Sequence, residues 1–163
     1  MKILVIGLII VINLILQPTL FQFIRINNVL PNTSLILVVC FAINNNKTKG
    51  TAIGFTIGIL QDILFSKMIG INALIYMLIG YFISLTNRNI FKDNLIIPVV
   101  LTGLATGFYY IVGTFLVYFL GFHMEFFNIF KNMLFVEIVY NAIISIFIYI
   151  YVSKLYKSKR KRY

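Results

Sequence analysis

The segment Gly50–Gly70, GTAIGFTIGILQDILFSKMIG, restricts the fold more than any other part of the chain. It is apolar enough to lie in a bilayer, yet glycine recurs at Gly50, Gly54 and Gly58. Spacing of four places all three on one face of a helix, a groove into which a neighbouring helix can press its backbone. One turn further on come Gln61 and Asp62, an amide and a carboxyl inside a hydrophobic segment. A carboxyl at membrane depth costs roughly 2.5–3.5 kcal/mol on insertion scales, so it should face protein or water rather than lipid. Two roles fit the pair: tying helices together, or lining a working surface.

The rest of the chain is equally greasy. Hydrophobic residues make up 61% and charged residues 11%, against about 25% charged in ordinary soluble domains. A soluble globule of 163 residues has no interior large enough for that much apolar side chain. The chain therefore reads as one polytopic membrane domain over 1–153 with a basic cytoplasmic tail, 154–163. The expected class is an all-α integral membrane protein, a six-transmembrane-helix bundle with spans at about 3–23, 30–43, 51–66, 70–85, 95–120 and 129–152.

The first segment follows Met1-Lys2 and has no small-x-small cleavage site, so it is expected to remain as a span, kinked near Pro18. The second is the shortest. Roughly 20 apolar residues cross a core of about 30 Å, so a re-entrant loop is the alternative there, with Pro31 in its first helical turn. The fifth carries Gly103 and Gly107, a second close-packing pair. Between the fifth and sixth, GFHMEFFN offers Phe122, Phe126 and Phe127 to the interface.

The basic residues set the orientation. With six spans and an inside amino terminus, Lys2, Lys47, Lys49, Arg88, Lys92 and six tail residues are cytoplasmic, and only Arg25, Lys67 and Lys131 lie outside. Five spans with an outside amino terminus score equally, because Lys2 and Arg25 then trade sides. Both versions place loops 44–50 and 86–94 and the tail inside. Lys154, Lys157, Lys159, Arg160, Lys161 and Arg162 form a topology and lipid anchor, each drawn to anionic lipid by about 1 kcal/mol near the surface. A docking site for a cytoplasmic partner is the other use of that tail. The net charge of +10 is thus explained by the membrane, and no nucleic-acid partner is expected.

Few residues could carry chemistry. Asp93 and Glu125 fall in loops, whereas Asp62 and Glu137 lie inside apolar segments, both in the outer half of the membrane. Asn72 and Asn141 fall in the same layer. The expectation is a polar cluster of Gln61, Asp62, Asn72, Glu137 and Asn141, open or nearly open to the outside, acting as an interhelical network or as a pocket. His123 and Cys40 are the only residues of their kinds, so no His/Cys metal site and no intrachain disulfide is expected. No phosphate-binding G-x-x-x-x-G-K-[ST] string occurs. The reading is non-enzymatic, with no cofactor.

The string Gly54-Phe55-x-x-Gly58-x-x-Gln61-Asp62, followed by Phe65 and Gly70, resembles the rod shape-determining MreD family, as does Pro31-Asn32-x-x-Leu35. The likeness extends over nearly the whole chain in the spacing of its apolar segments. It implies a scaffold of the bacterial cell-wall elongation machinery in the plasma membrane, binding MreC, with MreB, RodA and a class B penicillin-binding transpeptidase as further partners. It also implies a fold resembling the six-helix substrate-binding subunits of energy-coupling-factor transporters. A vitamin-binding subunit of such a transporter is the alternative function. Against it, the first span offers only Gly7 as a small docking residue, and tryptophan is absent, although Tyr76 and Tyr140 could stack on a ligand. A holin-like pore is a third possibility, disfavoured by the modest polar face.

Overall fold

In the computed structural model, residues 2–19, 23, 29–66, 68–85, 94–121 and 127–157 are described. They form six helices: α1 (Lys2–Thr19), α2 (Thr33–Asn44), α3 (Lys47–Phe65), α4 (Ile71–Leu85), α5 (Ile96–Phe119) and α6 (Phe127–Lys157). Each falls on one of the six apolar segments. Arg25, Lys67, Arg88, Lys92, Asp93, Phe122, His123, Glu125, Phe126, Lys159, Arg160, Lys161 and Arg162 lie outside the described residues.

The short second segment is the hub of the bundle. Every residue of α2 from Thr33 to Ile43 is buried, and α2 touches all five other helices. A helix that is apolar all round is one with protein on every side. At 12 residues it is about 18 Å long, short of a bilayer, but enclosure removes the need to match one. Pro31 is not in its first turn. Asn32 is the cap, its side chain accepting from the Leu35 N–H at 3.1 Å, so Pro31 lies one residue before the cap.

Among the described residues, only α5 (Ile96–Phe119) and the part of α6 from Phe135 to Tyr156 are long and apolar enough to cross a membrane alone. The described part of α1 ends at Thr19, one residue after Pro18, so Pro18 sits in the last turn. Asn13 of that helix is an attachment to α2: it donates to Ser34 Oγ at 3.1 Å, and Ser34 donates to Gln17 at 2.7 Å. At the other end of the molecule, α6 runs past its expected stop at Val152 to Lys157. There Tyr156 accepts from Asn45 at 2.6 Å and ties the end of α6 to the end of α2.

The glycine groove of α3 is filled from within the chain. A Cβ built on Gly54 would lie 2.2 Å from the Tyr76 carbonyl oxygen, and one on Gly58 2.5 Å from Ala73 Cα. Gly50 faces Ser84 and Gly80, and a Cβ on Gly80 would come within 2.4 Å of the Gly50 carbonyl oxygen. These contacts descend α3 as they climb α4, so the two helices form an antiparallel hairpin with backbones touching. Such approach is open only to residues without side-chain bulk. The neighbouring helix that this groove receives is therefore α4 of the same chain.

The second glycine pair does not repeat this. A Cβ on Gly103 would make an ordinary 3.6 Å contact with Ile138, and one on Gly107 would meet nothing within 4 Å. Among the described residues, α5 has no close approach at either position.

Candidate functional site

Asp62 sits in the last turn of α3, where the chain is about to reverse into α4. Its carboxylate reaches across the reversal and takes up the free N–H groups at the start of α4. Oδ2 accepts from the Gly70 and Ala73 N–H at 2.8 and 3.0 Å. Oδ1 accepts from the Asn72 N–H at 3.3 Å and from its side-chain amide at 2.8 Å. A negative charge at a helix N-terminus is favourable in dipole as well as in hydrogen bonding. Gly70, at φ +110°, supplies the left-handed residue that brings the chain round to this carboxylate. Asp62 is fully buried, and its burial is compensated by four donors.

Asn72 carries the arrangement onward. Its amide also donates to Ser66 Oγ at 3.0 Å, and its carbonyl accepts from Tyr109 of α5 at 2.8 Å. Tyr109 lies between two other tyrosine rings, 5.7 Å from Tyr76 and 5.6 Å from Tyr110. Tyr76, fully buried, points its hydroxyl at Asn32 Oδ1 and Gln61 Oε1, 2.9 and 3.2 Å away. Three tyrosines thus join the hairpin to the head of α2 and to the α5–α6 pair.

On the α5–α6 side the centre is Asn141. Its carbonyl accepts from the Asn32 N–H at 2.9 Å, and its amide donates to Thr106 at 3.2 Å and to Glu137 at 3.4 Å. The amide is therefore used in full. Glu137 accepts from Tyr110 on its other oxygen. Both helices present buried or half-buried polar groups at every fourth position: Thr102, Thr106 and Tyr110 on α5, and Glu137, Asn141 and Ser145 on α6. Two rungs of that ladder, Tyr110–Glu137 and Thr106–Asn141, are hydrogen-bonded across the seam. Thr33 and Thr102 hydroxyls are the buried side-chain groups without a hydrogen-bond partner among the described residues.

All five polar residues read from the sequence therefore share one interior, but not as expected. Asp62 and Glu137 do not meet; each has its own donors, on opposite sides of the tyrosine trio. Nor is the cluster open to the outside. Asp62 and Asn141 are fully buried, and Glu137 and Asn72 nearly so, with Gln61 half-buried. Missing from the sequence reading of this network were Asn32, Thr106, Tyr109 and Tyr110. The four-residue repeat Thr102-Thr106-Tyr110, matched by Glu137-Asn141-Ser145, was the available signal. It is the polar counterpart of the glycine repeat on α3.

Outside this interior, an open groove of about 390 Å³ runs between α1 and α3, lined by Val11, Ile15, Pro18, Leu60, Leu64 and others, with no polar surface. Of the basic tail, Lys154 is described and exposed, its ammonium 5.8 Å from the Tyr151 ring centre.

A helical chain this apolar, with every intramembrane acid turned inward and committed to neighbouring helices, is an integral membrane protein of structural type. Residues 1–159 match the family of the rod shape-determining protein MreD, and the chain belongs to that family. Its role lies in determining rod shape, within a membrane-protein family of shape-determining structural proteins. No curated protein and no solved structure matches the chain. The expected likeness to energy-coupling-factor substrate-binding subunits accordingly has no support from a solved fold.

Proposed function

We propose that the chain is a multi-pass, non-enzymatic scaffold of the cell-wall elongation complex, with both termini cytoplasmic, that binds MreC and through it helps regulate peptidoglycan synthesis. MreB, RodA and a class B penicillin-binding transpeptidase are the further partners of this reading. The observation that carries it is the commitment of the interior. Asp62, Asn72, Asn141 and Glu137 hold helices to one another, which leaves function to the outer faces. The strong basic bias of the loops and tail supports the orientation. The vitamin-transport alternative requires an outward cavity at this cluster, where the structure has packed and mutually bonded side chains.

Because the α3 groove is occupied by α4, Gly54 and Gly58 act on the partner only through the fold. Gly107, with open space beside it, is still available to a partner helix, as is Gly7 on α1. Co-purification from membranes tests this: Gly107→Ile should lose MreC while the protein keeps its thermal stability. Undiminished MreC binding by a stably folded Gly107→Ile protein would remove α5 from the interface. Failure of the native chain to bring down MreC at all would end the scaffold reading.

A further inference from the structure

Apart from α1, the helices that face outward are of two lengths. The 15 residues of α4 span about 22 Å. In α3 the apolar part begins after Lys49 and runs from Gly50 to Phe65, about 24 Å. By contrast, the 24 residues of α5 span about 36 Å, and the 22-residue apolar part of α6 about 33 Å. A typical hydrocarbon core is about 30 Å thick. Among the described residues, the α3–α4 side is therefore too short for it, and the α5–α6 side is long enough to tilt.

Among the described residues, much of the short side is left uncovered. Phe55, Ile63 and Leu64 of α3 and Leu74 and Phe82 of α4 are exposed. Neither helix can adjust alone, because the glycine contacts lock the two backbones together and Asp62 pins the turn between them. Sliding the hairpin inward or outward does not help either. At one end Lys47 and Lys49 are exposed in the first turn of α3, where the helix dipole disfavours cations. Their charge complements the anionic headgroup layer and marks where hydrocarbon must begin. At the other end Asp62 holds the start of α4 against the end of α3, which closes the apolar length.

We propose that the α3–α4 face holds a locally thinned bilayer, with anionic headgroups drawn down to Lys47 and Lys49, while the α5–α6 face holds one of full thickness. This rests on the multi-pass membrane reading above. Mismatch is costly enough per ångström to select among lipids of different chain length, so the two faces sort lipids differently.

The chain contains no tryptophan, so a single introduced indole reports on one face. Phe82→Trp on α4 and Phe147→Trp on α6 replace exposed rings. Each variant is reconstituted in vesicles of mixed short-chain and long-chain phosphatidylcholine with phosphatidylglycerol, one chain length at a time carrying bromine. Phe82→Trp should be quenched about twofold more by the short-chain brominated lipid than by the long-chain one, and Phe147→Trp should show no such preference. Leu74→Trp, also exposed on α4, serves if the first variant does not fold. Identical chain-length dependence at both faces overturns the inference while leaving the membrane reading intact. Quenching at neither face overturns both.

Discussion

The two helix pairs of this protein are joined by opposite means. In the α3–α4 hairpin the seam is made of what is missing: Gly50, Gly54, Gly58 and Gly80 let the backbones touch. In the α5–α6 pair the seam is made of what is added, a ladder of hydroxyl, amide and carboxyl groups four residues apart. The difference teaches where each pair can tolerate change. A backbone contact has no rotamer to yield, whereas a polar rung can lose one bond and keep its neighbours.

The largest expected effect is therefore on the hairpin. Gly58→Leu, whose first added carbon would fall 2.5 Å from Ala73 Cα, should destabilise by about 3 kcal/mol or more. A shift in thermal unfolding in detergent reads this, and an unchanged melting temperature would break the contrast between the two seams. Next comes Asp62→Ala, which leaves the N–H groups at the head of α4 without their acceptor, a loss of about 2 kcal/mol. Asp62→Asn retains one acceptor oxygen and should lose less. Faster amide exchange at Gly70, Asn72 and Ala73 in both variants would sharpen the assignment; protection equal to the native protein would refute it.

Effects on the other seam should be smaller. Interhelical hydrogen bonds in membranes average about 0.6 kcal/mol and reach about 1.7. Asn141→Leu removes two of them, to Asn32 and to Thr106, and should cost about 1 kcal/mol by that scale. A double-mutant cycle of Tyr110→Phe with Glu137→Gln should return a coupling of about 0.6 kcal/mol. Zero coupling would show that the rung is incidental. Smallest of all, Gly107→Ala should move stability by less than about 0.5 kcal/mol, because nothing stands beside it; a large loss would place another helix there.

Much of this was legible in the chain. Six apolar segments gave six helices, since the length and greasiness of a segment act locally. Gly54, Gly58 and Asp62 were conspicuous because small and charged residues are anomalous in apolar surroundings. Glu137 and Asn141 stood out for the same reason, one turn apart. Tyr109 gave no such signal: tyrosine is amphipathic, equally at home in an interface or an interior, and only a hydrogen-bond partner distinguishes the two.

What the sequence determined by itself is the membrane class, the helices and the residues that could not face lipid, because transfer free energies depend on composition and spacing. What only the tertiary structure decided is who faces whom. A glycine face fits α4 or a foreign helix equally well. A buried aspartate satisfies another carboxylate's proton or a helix terminus with equal chemistry. The short second segment could have been a re-entrant loop. Here it is the enclosed hub, a helix that has no lipid to match because other helices cover it on every side.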